Sequence, residues 1–268
     1  MGSFSYADGI SVAELLVYFP AIFLSGFLVW RHGFKTNCGY MFLAVFSLVR
    51  IIGNAANLAR LNKDSQGLRT TYLICSSIGL TPLFLACSGL LSRANLSIRT
   101  NTGDSFHKST FTLYRIFNVI AIVLSVYGLT THMDAEGLAH PPATVKVSMV
   151  MYIISWVALN FMLLVLIGRR SGLEPGEGRT LLAVAISSPF LLIRTVYSVL
   201  TFFVNNDTFG LMNPNETVQL VMDVIEEFAV IIVLLSIGLT LRVRYFNYTK
   251  AEEEAGIGAA FQGHSNRF

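Results

Sequence analysis

Residues 221–239 read VMDVIEEFAVIIVLLSIGL, and this stretch decides the fold. Its length and apolar content suit a bilayer, yet Asp223, Glu226 and Glu227 lie in its first half. An ionisable side chain at mid-membrane costs roughly 2.5–3.5 kcal/mol on insertion scales. A chain that carries three there must compensate them, so the rest of the sequence is read for partners.

Composition sets the class. Of 268 residues, 53% are hydrophobic and 13% charged, and the mean hydropathy is +0.60. A soluble domain carries roughly 25% charged residues. The charge here cannot build a hydrated shell around one large core, which leaves a polytopic membrane protein. The net charge of +3 comes mainly from short loops, with no basic run interleaved with aromatics, so nucleic acid is not an expected partner. Three cysteines, Cys38, Cys75 and Cys87, form no disulfide framework. The start, MGSFSYADGI, lacks a basic n-region, so no cleaved signal peptide is expected.

Seven stretches are long and apolar enough to span: 10–30, 39–58, 71–91, 112–131, 147–168, 181–204 and 218–241. Backbone polar groups must be satisfied inside a bilayer, so the predicted fold is an all-α bundle of seven transmembrane helices. It forms one domain over 1–241, followed by a disordered tail over 242–268. No internal repeat is visible. Pro20, Pro82 and Pro189 fall inside the first, third and sixth helices, where each frees a carbonyl and bends the helix.

Lys and Arg set the orientation. Segments 31–38, 92–111, 169–180 and the tail hold twelve, whereas the N-terminus, 59–70, 132–146 and 205–217 hold four. The N-terminus is therefore predicted luminal or extracellular and the tail cytosolic. Two sequons, at Asn206 and Asn215, fall on the predicted luminal side and predict a glycoprotein. Those at Asn95 and Asn247 fall on the other side and should stay bare. A secretory-pathway membrane is expected, the endoplasmic reticulum before the plasma membrane.

Asp223, Glu226 and Glu227 share one helix face at i, i+3, i+4. The second helix places Arg50, Asn54 and Asn57 on one face, and the sixth carries Arg194 with Tyr197 nearby. The first contributes Glu14 and, a turn deeper, Tyr18. The fifth carries Tyr152, Trp156 and Asn160 in a row. Given alternating helix directions, the acids and arginines gather at related depths. Arg50 and Arg194 are predicted to pair with acids among Asp223, Glu226, Glu227 and Glu14, because a lone buried charge is far costlier than a paired one. Four acids against two arginines leave a carboxyl over, and such a group serves as a general acid or proton carrier. The plain alternative is a salt-bridge lattice that only fixes the bundle.

On this reading Asp223, Glu226 and Glu227 are the candidate catalytic acids, with Arg50, Arg194 and Glu14 tuning them. Tyr18, Asn54, Asn57, Tyr152, Trp156, Asn160 and Tyr197 would line a pocket. No retinal-binding lysine lies within a span, and the motifs of rhodopsin-type receptors are missing. There is no phosphate loop and no metal-ligand spacing, and all five histidines fall in predicted loops. No metal or cofactor is expected. A lipophilic small molecule entering from the lipid bilayer is the expected substrate; the oligomeric state is left open.

The segments FSYADGISVAELLVYFPAIF (4–23), RHGF (31–34), FSLVRIIGNAANLA (46–59) and SIGLTPLFLACSGLLSR (77–93) resemble a fungal group of seven-helix membrane proteins with no established biochemical function. Members are often encoded near specialised-metabolite pathways, so the resemblance implies a biosynthetic role. The architecture is also similar to fungal membrane-bound terpene cyclases, which protonate a lipophilic epoxide with an intramembrane carboxyl. The leading expectation is a cofactor-independent membrane cyclase or isomerase, or an accessory factor. A seven-helix receptor, sensor or scaffold is the alternative, and a proton-coupled transporter the third; absent repeats and absent paired broken helices count against the last.

Overall fold

A computed structural model describes residues 5–32, 38–62, 65–102, 105–131, 142–174, 176–204 and 216–241, and among these all regular structure is helical. The helices are α1 (Tyr6–His32), α2 (Cys38–Ala59), α3 (Gln66–Ile78), α4 (Leu80–Thr102), α5 (Lys108–Thr131), α6 (Ala143–Gly168), α7 (Gly178–Phe203), α8 (Glu216–Gln219) and α9 (Ile225–Thr240). A 3₁₀ turn, Arg170–Gly172, follows α6, and a π turn, Leu220–Val224, joins α8 to α9. Six helical stretches are long and apolar enough to cross a membrane: α1, α2, α3 with α4, α5, α6 and α7. The seventh expected span differs. Its π turn leaves an α-helix of 16 residues, about 24 Å at 1.5 Å per residue, short of a hydrocarbon core of about 30 Å.

The third span is interrupted, and Pro82 gives the reason. A proline inside a helix cannot donate to the carbonyl four residues earlier, and its ring clashes there. That carbonyl belongs to Ile78, where α3 ends. Gly79 keeps right-handed helical dihedrals, φ −54° and ψ −35°, so the interruption is a single residue, and α4 runs on to Thr102. Sequence had placed a loop over 92–111, but the helical spacing Leu90, Ala94, Ile98 continues the buried face well past residue 91. Pro20 and Pro189 do not break α1 or α7.

The break decides the architecture. Neighbouring contacts close a ring in the order α1, α2, α3, α5, α6, α7, α9 and back to α1, while α4 touches α2, α5, α6 and α7 from within. Every residue from Leu80 to Leu91 is buried, as suits a helix apolar or small on all sides. In contrast, α3 sits on the rim and has no buried residue. The outward faces of the ring are apolar: Phe19, Phe23, Trp30, Leu113 and Leu164 are all at least 60% exposed. Water would not tolerate such a surface, and lipid does. The chain is a multi-pass membrane protein.

Candidate functional site

Where α3 leaves for the rim, charged side chains gather beside the break. A Cβ on Gly79 would lie 2.8 Å from Glu227 Oε1 and 3.3 Å from Arg50 Nη2, so the absence of a side chain lets the cluster close against the chain here. Five helical elements converge: Glu14 and Tyr18 from α1, Arg50 and Asn54 from α2, Arg194 from α7, Asp223 from the π turn and Glu227 from α9. All are buried.

Arg50 and Arg194 share two acids. Arg50 Nη2 lies 3.2 Å from Asp223 Oδ1 and also donates to Glu227 Oε1. Arg194 Nε lies 2.7 Å from Asp223 Oδ1 and 3.1 Å from Glu227 Oε1. Tyr18 donates its hydroxyl proton to Glu227 Oε2 at 2.9 Å, and its ring packs edge-on against Phe46 and Phe228. Glu14 is held differently: Asn54 Nδ2 donates to its Oε2 at 2.6 Å, while Arg50 Nη1 stays 3.8 Å away, beyond hydrogen-bond reach. Thus three carboxyls meet two guanidiniums.

Both helix interruptions serve this cluster. Arg194 Nη2 donates to Ser76 O, one of the last carbonyls of α3, at 3.3 Å. Its Nη1 donates to Ser198 Oγ at 3.1 Å. The π turn carries Asp223, and Ile225 N bonds to Leu220 O across five residues. Such π turns recur at functional sites. The sequence showed no paired broken helices; the structure contains two interruptions beside one charge cluster.

The remaining expected residues divide. Glu226 is buried but pairs with neither arginine, and its Oε2 has no hydrogen-bond partner. Asn57 donates to Ser11 Oγ at 2.9 Å, further along the α1–α2 contact. Tyr197 is buried three residues beyond Arg194. Tyr152 bonds Thr81 Oγ1 at 2.7 Å, joining α6 to the first turn of α4. Trp156 and Asn160 do not share the charged site: Trp156 Nε1 donates to Ser188 O at 3.0 Å, and Ser188 Oγ donates to Asn160 Oδ1 at 2.6 Å. They form a seam between α6 and α7, so the predicted single lining is split. Asn206, Asn215, Asn247, His132, Asp134, His140 and the tail lie outside the described residues.

A second buried charge pair was missed. Arg93 and Glu177, both assigned to loops, meet in a two-pronged pair: Arg93 Nε lies 3.1 Å from both carboxylate oxygens and Nη2 lies 2.8 Å from Oε1. Thr180 Oγ1 adds a bond at 3.3 Å. Beside the C-terminal end of α9, His32 Nε2 lies 3.3 Å from Gly238 O and its ring stacks on Tyr40. His32 is thus the buried last residue of α1 and not a loop histidine. The continued periodicity Leu90, Ala94, Ile98 was the signal that Arg93 lies inside a helix. Asn95, in a matching sequon, is buried, and its amide both donates to Phe106 O and accepts from Phe106 N, which holds it inside the protein.

The fold and site define a class: a helical membrane bundle with a buried, multi-helix charge cluster beside a broken span. A family model described as a domain of unknown function, DUF7702, matches residues 4–244, and the chain belongs to that family. No curated protein and no solved structure matches it.

Proposed function

We propose that this is a seven-span membrane protein whose charge cluster delivers a proton to a lipophilic small molecule, as a cofactor-independent cyclase, isomerase or accessory factor. The seventh span is the helical run 216–240, taken across the bilayer by its π turn. The observation that carries the reading is the imbalance of three carboxyls against two guanidiniums in a buried place. A proton or a cationic ligand must neutralise the surplus charge, since an uncompensated buried carboxylate is too costly. Asp223 and Glu227 each form ion pairs with both arginines, so they act in this scheme as the frame that positions the acid. The resemblance to fungal seven-helix proteins points the substrate towards specialised metabolism; the membrane is a secretory-pathway one, the endoplasmic reticulum before the plasma membrane.

Metabolite profiling of a deletion strain tests the enzyme. A lipophilic precursor should accumulate, and its product should return with the intact gene but not with Glu227→Gln expressed at equal level. An unchanged profile would exclude the enzyme. The two interrupted helices favour a second reading, proton-coupled transport, because broken helices at mid-membrane bind substrates in transporters. Substrate flux into sealed vesicles driven by a pH gradient, without chemical change, would select it.

The proposed orientation places the α1 N-terminus and the 205–215 segment in the lumen. Glycosidase treatment should then shift the mass of the protein, and Asn206→Gln with Asn215→Gln should abolish the shift. A glycan instead on Asn247 would invert the topology.

A further inference from the structure

The carboxyls of the cluster are not equivalent. Asp223 and Glu227 each contact both guanidiniums. Glu14 has one neutral donor, Asn54, on Oε2, and among the described residues nothing donates to its Oε1. Two arginines balance two acids, and Glu14 is the third. It is 4% exposed.

A polar seam leads away from it. Along α1 the buried side chains Asp8, Ser11, Glu14 and Tyr18 follow at intervals of three or four residues, and Arg50, Asn54 and Asn57 do the same along antiparallel α2. Successive rungs are Tyr18 and Arg50 on Glu227, Asn54 on Glu14, and Asn57 on Ser11. Arg60, half-buried at the end of α2, reaches back to Asn57 Oδ1 at 3.3 Å. Towards the other end of the bundle the core beyond Glu227 is rich in aliphatic side chains, with Leu43, Leu83, Leu191, Ile231 and Leu234 all at most 1% exposed, and the hydroxyls of Ser25 and Ser47 there bond back to carbonyls of their own helices. Further on, the Arg93–Glu177 pair ties α4 to the start of α7. Side-chain hydrogen bonds between α1 and α2 therefore continue from the cluster towards the N-terminal end of α1.

We propose that Glu14 holds the exchangeable proton of the site, and that the α1–α2 seam connects it with the compartment at the N-terminal end of α1. The groups around it are Arg50 and Asn54 from α2, Asp223 and Glu227 from the π turn and α9, Tyr72 from α3, and Tyr18 on its own helix. When Glu14 gives its proton to a ligand acceptor, the O–H bond breaks and the carboxylate stays opposite Arg50. A proton arriving along the seam restores the acid. The idea deepens the function proposed above and assigns its acid, but its test needs no substrate.

Infrared spectroscopy of the full chain in nanodiscs reads the carbonyl stretch of a protonated carboxylic acid. One component of that band should vanish in Glu14→Gln, shift in frequency in Glu14→Asp and persist in Glu226→Gln. Deuterium exchange of the component should slow severalfold in Asn57→Leu, which blocks a rung and leaves the cluster whole. In sealed proteoliposomes of known orientation, the component should follow pH on the side of the α1 N-terminus. Retention of the full band in Glu14→Gln, loss only in Glu226→Gln, or response to the opposite side would each overturn the proposal. None of these results depends on turnover, so the proton carrier and the enzyme reading fail separately.

Discussion

Arg50→Met is expected to destabilise the bundle by about 3–5 kcal/mol, the usual effect of removing one partner from a buried ion pair. Arg50 faces Glu14, Asp223 and Glu227. Without it, Arg194 alone opposes three carboxyls, and protonating them or admitting water sets the cost. The double variant Arg50→Met/Glu227→Met should recover most of the loss, because apolar groups of similar size can replace a buried pair at little cost. Equilibrium unfolding of the purified protein in mixed micelles measures both. A loss below about 1 kcal/mol for the single variant, the range of an exposed surface pair, would show that water already screens the cluster.

Arg93→Met should cost a similar 3–5 kcal/mol, because the buried Glu177 carboxylate would lose its two-pronged guanidinium partner. Glu177 immediately precedes α7, where the helix dipole favours a negative charge. Glu177→Gln should therefore also destabilise, though less, since the amide still accepts from Arg93. Along α4, Arg93 lies fourteen residues beyond Gly79, about 21 Å at 1.5 Å per residue. Losses from Arg50→Met and Arg93→Met should thus add to within about 0.5 kcal/mol in the same titration. A clearly larger or smaller sum would mean that the two charge layers are coupled through the helices they share.

The charge pairing was partly legible. Arg50, Arg194 and the acids of the last span could be matched because each is intolerable alone in a low-dielectric interior, whatever the fold. Partner choice was not legible. Glu226 and Glu227 are adjacent in sequence and equally acidic, yet only Glu227 turns towards the arginines. Tyr152, Trp156 and Asn160 share a helical face, but neighbours on two different helices claim them. Arg93 was hidden by the habit of reading an arginine after an apolar run as the end of a span.

By itself the sequence determined that this chain lives in a membrane, that its apolar stretches are helices, and that buried arginines and acids must find one another. Those statements depend on one segment and its solvent, and transfer energies settle them. Only the tertiary structure decided that α3 lies on the rim while α4 fills the axis, and that Glu14 is left outside the double arginine clasp. These outcomes depend on helix rotation and on distances of a few ångströms between distant residues, which hydropathy and spacing along one helix do not encode.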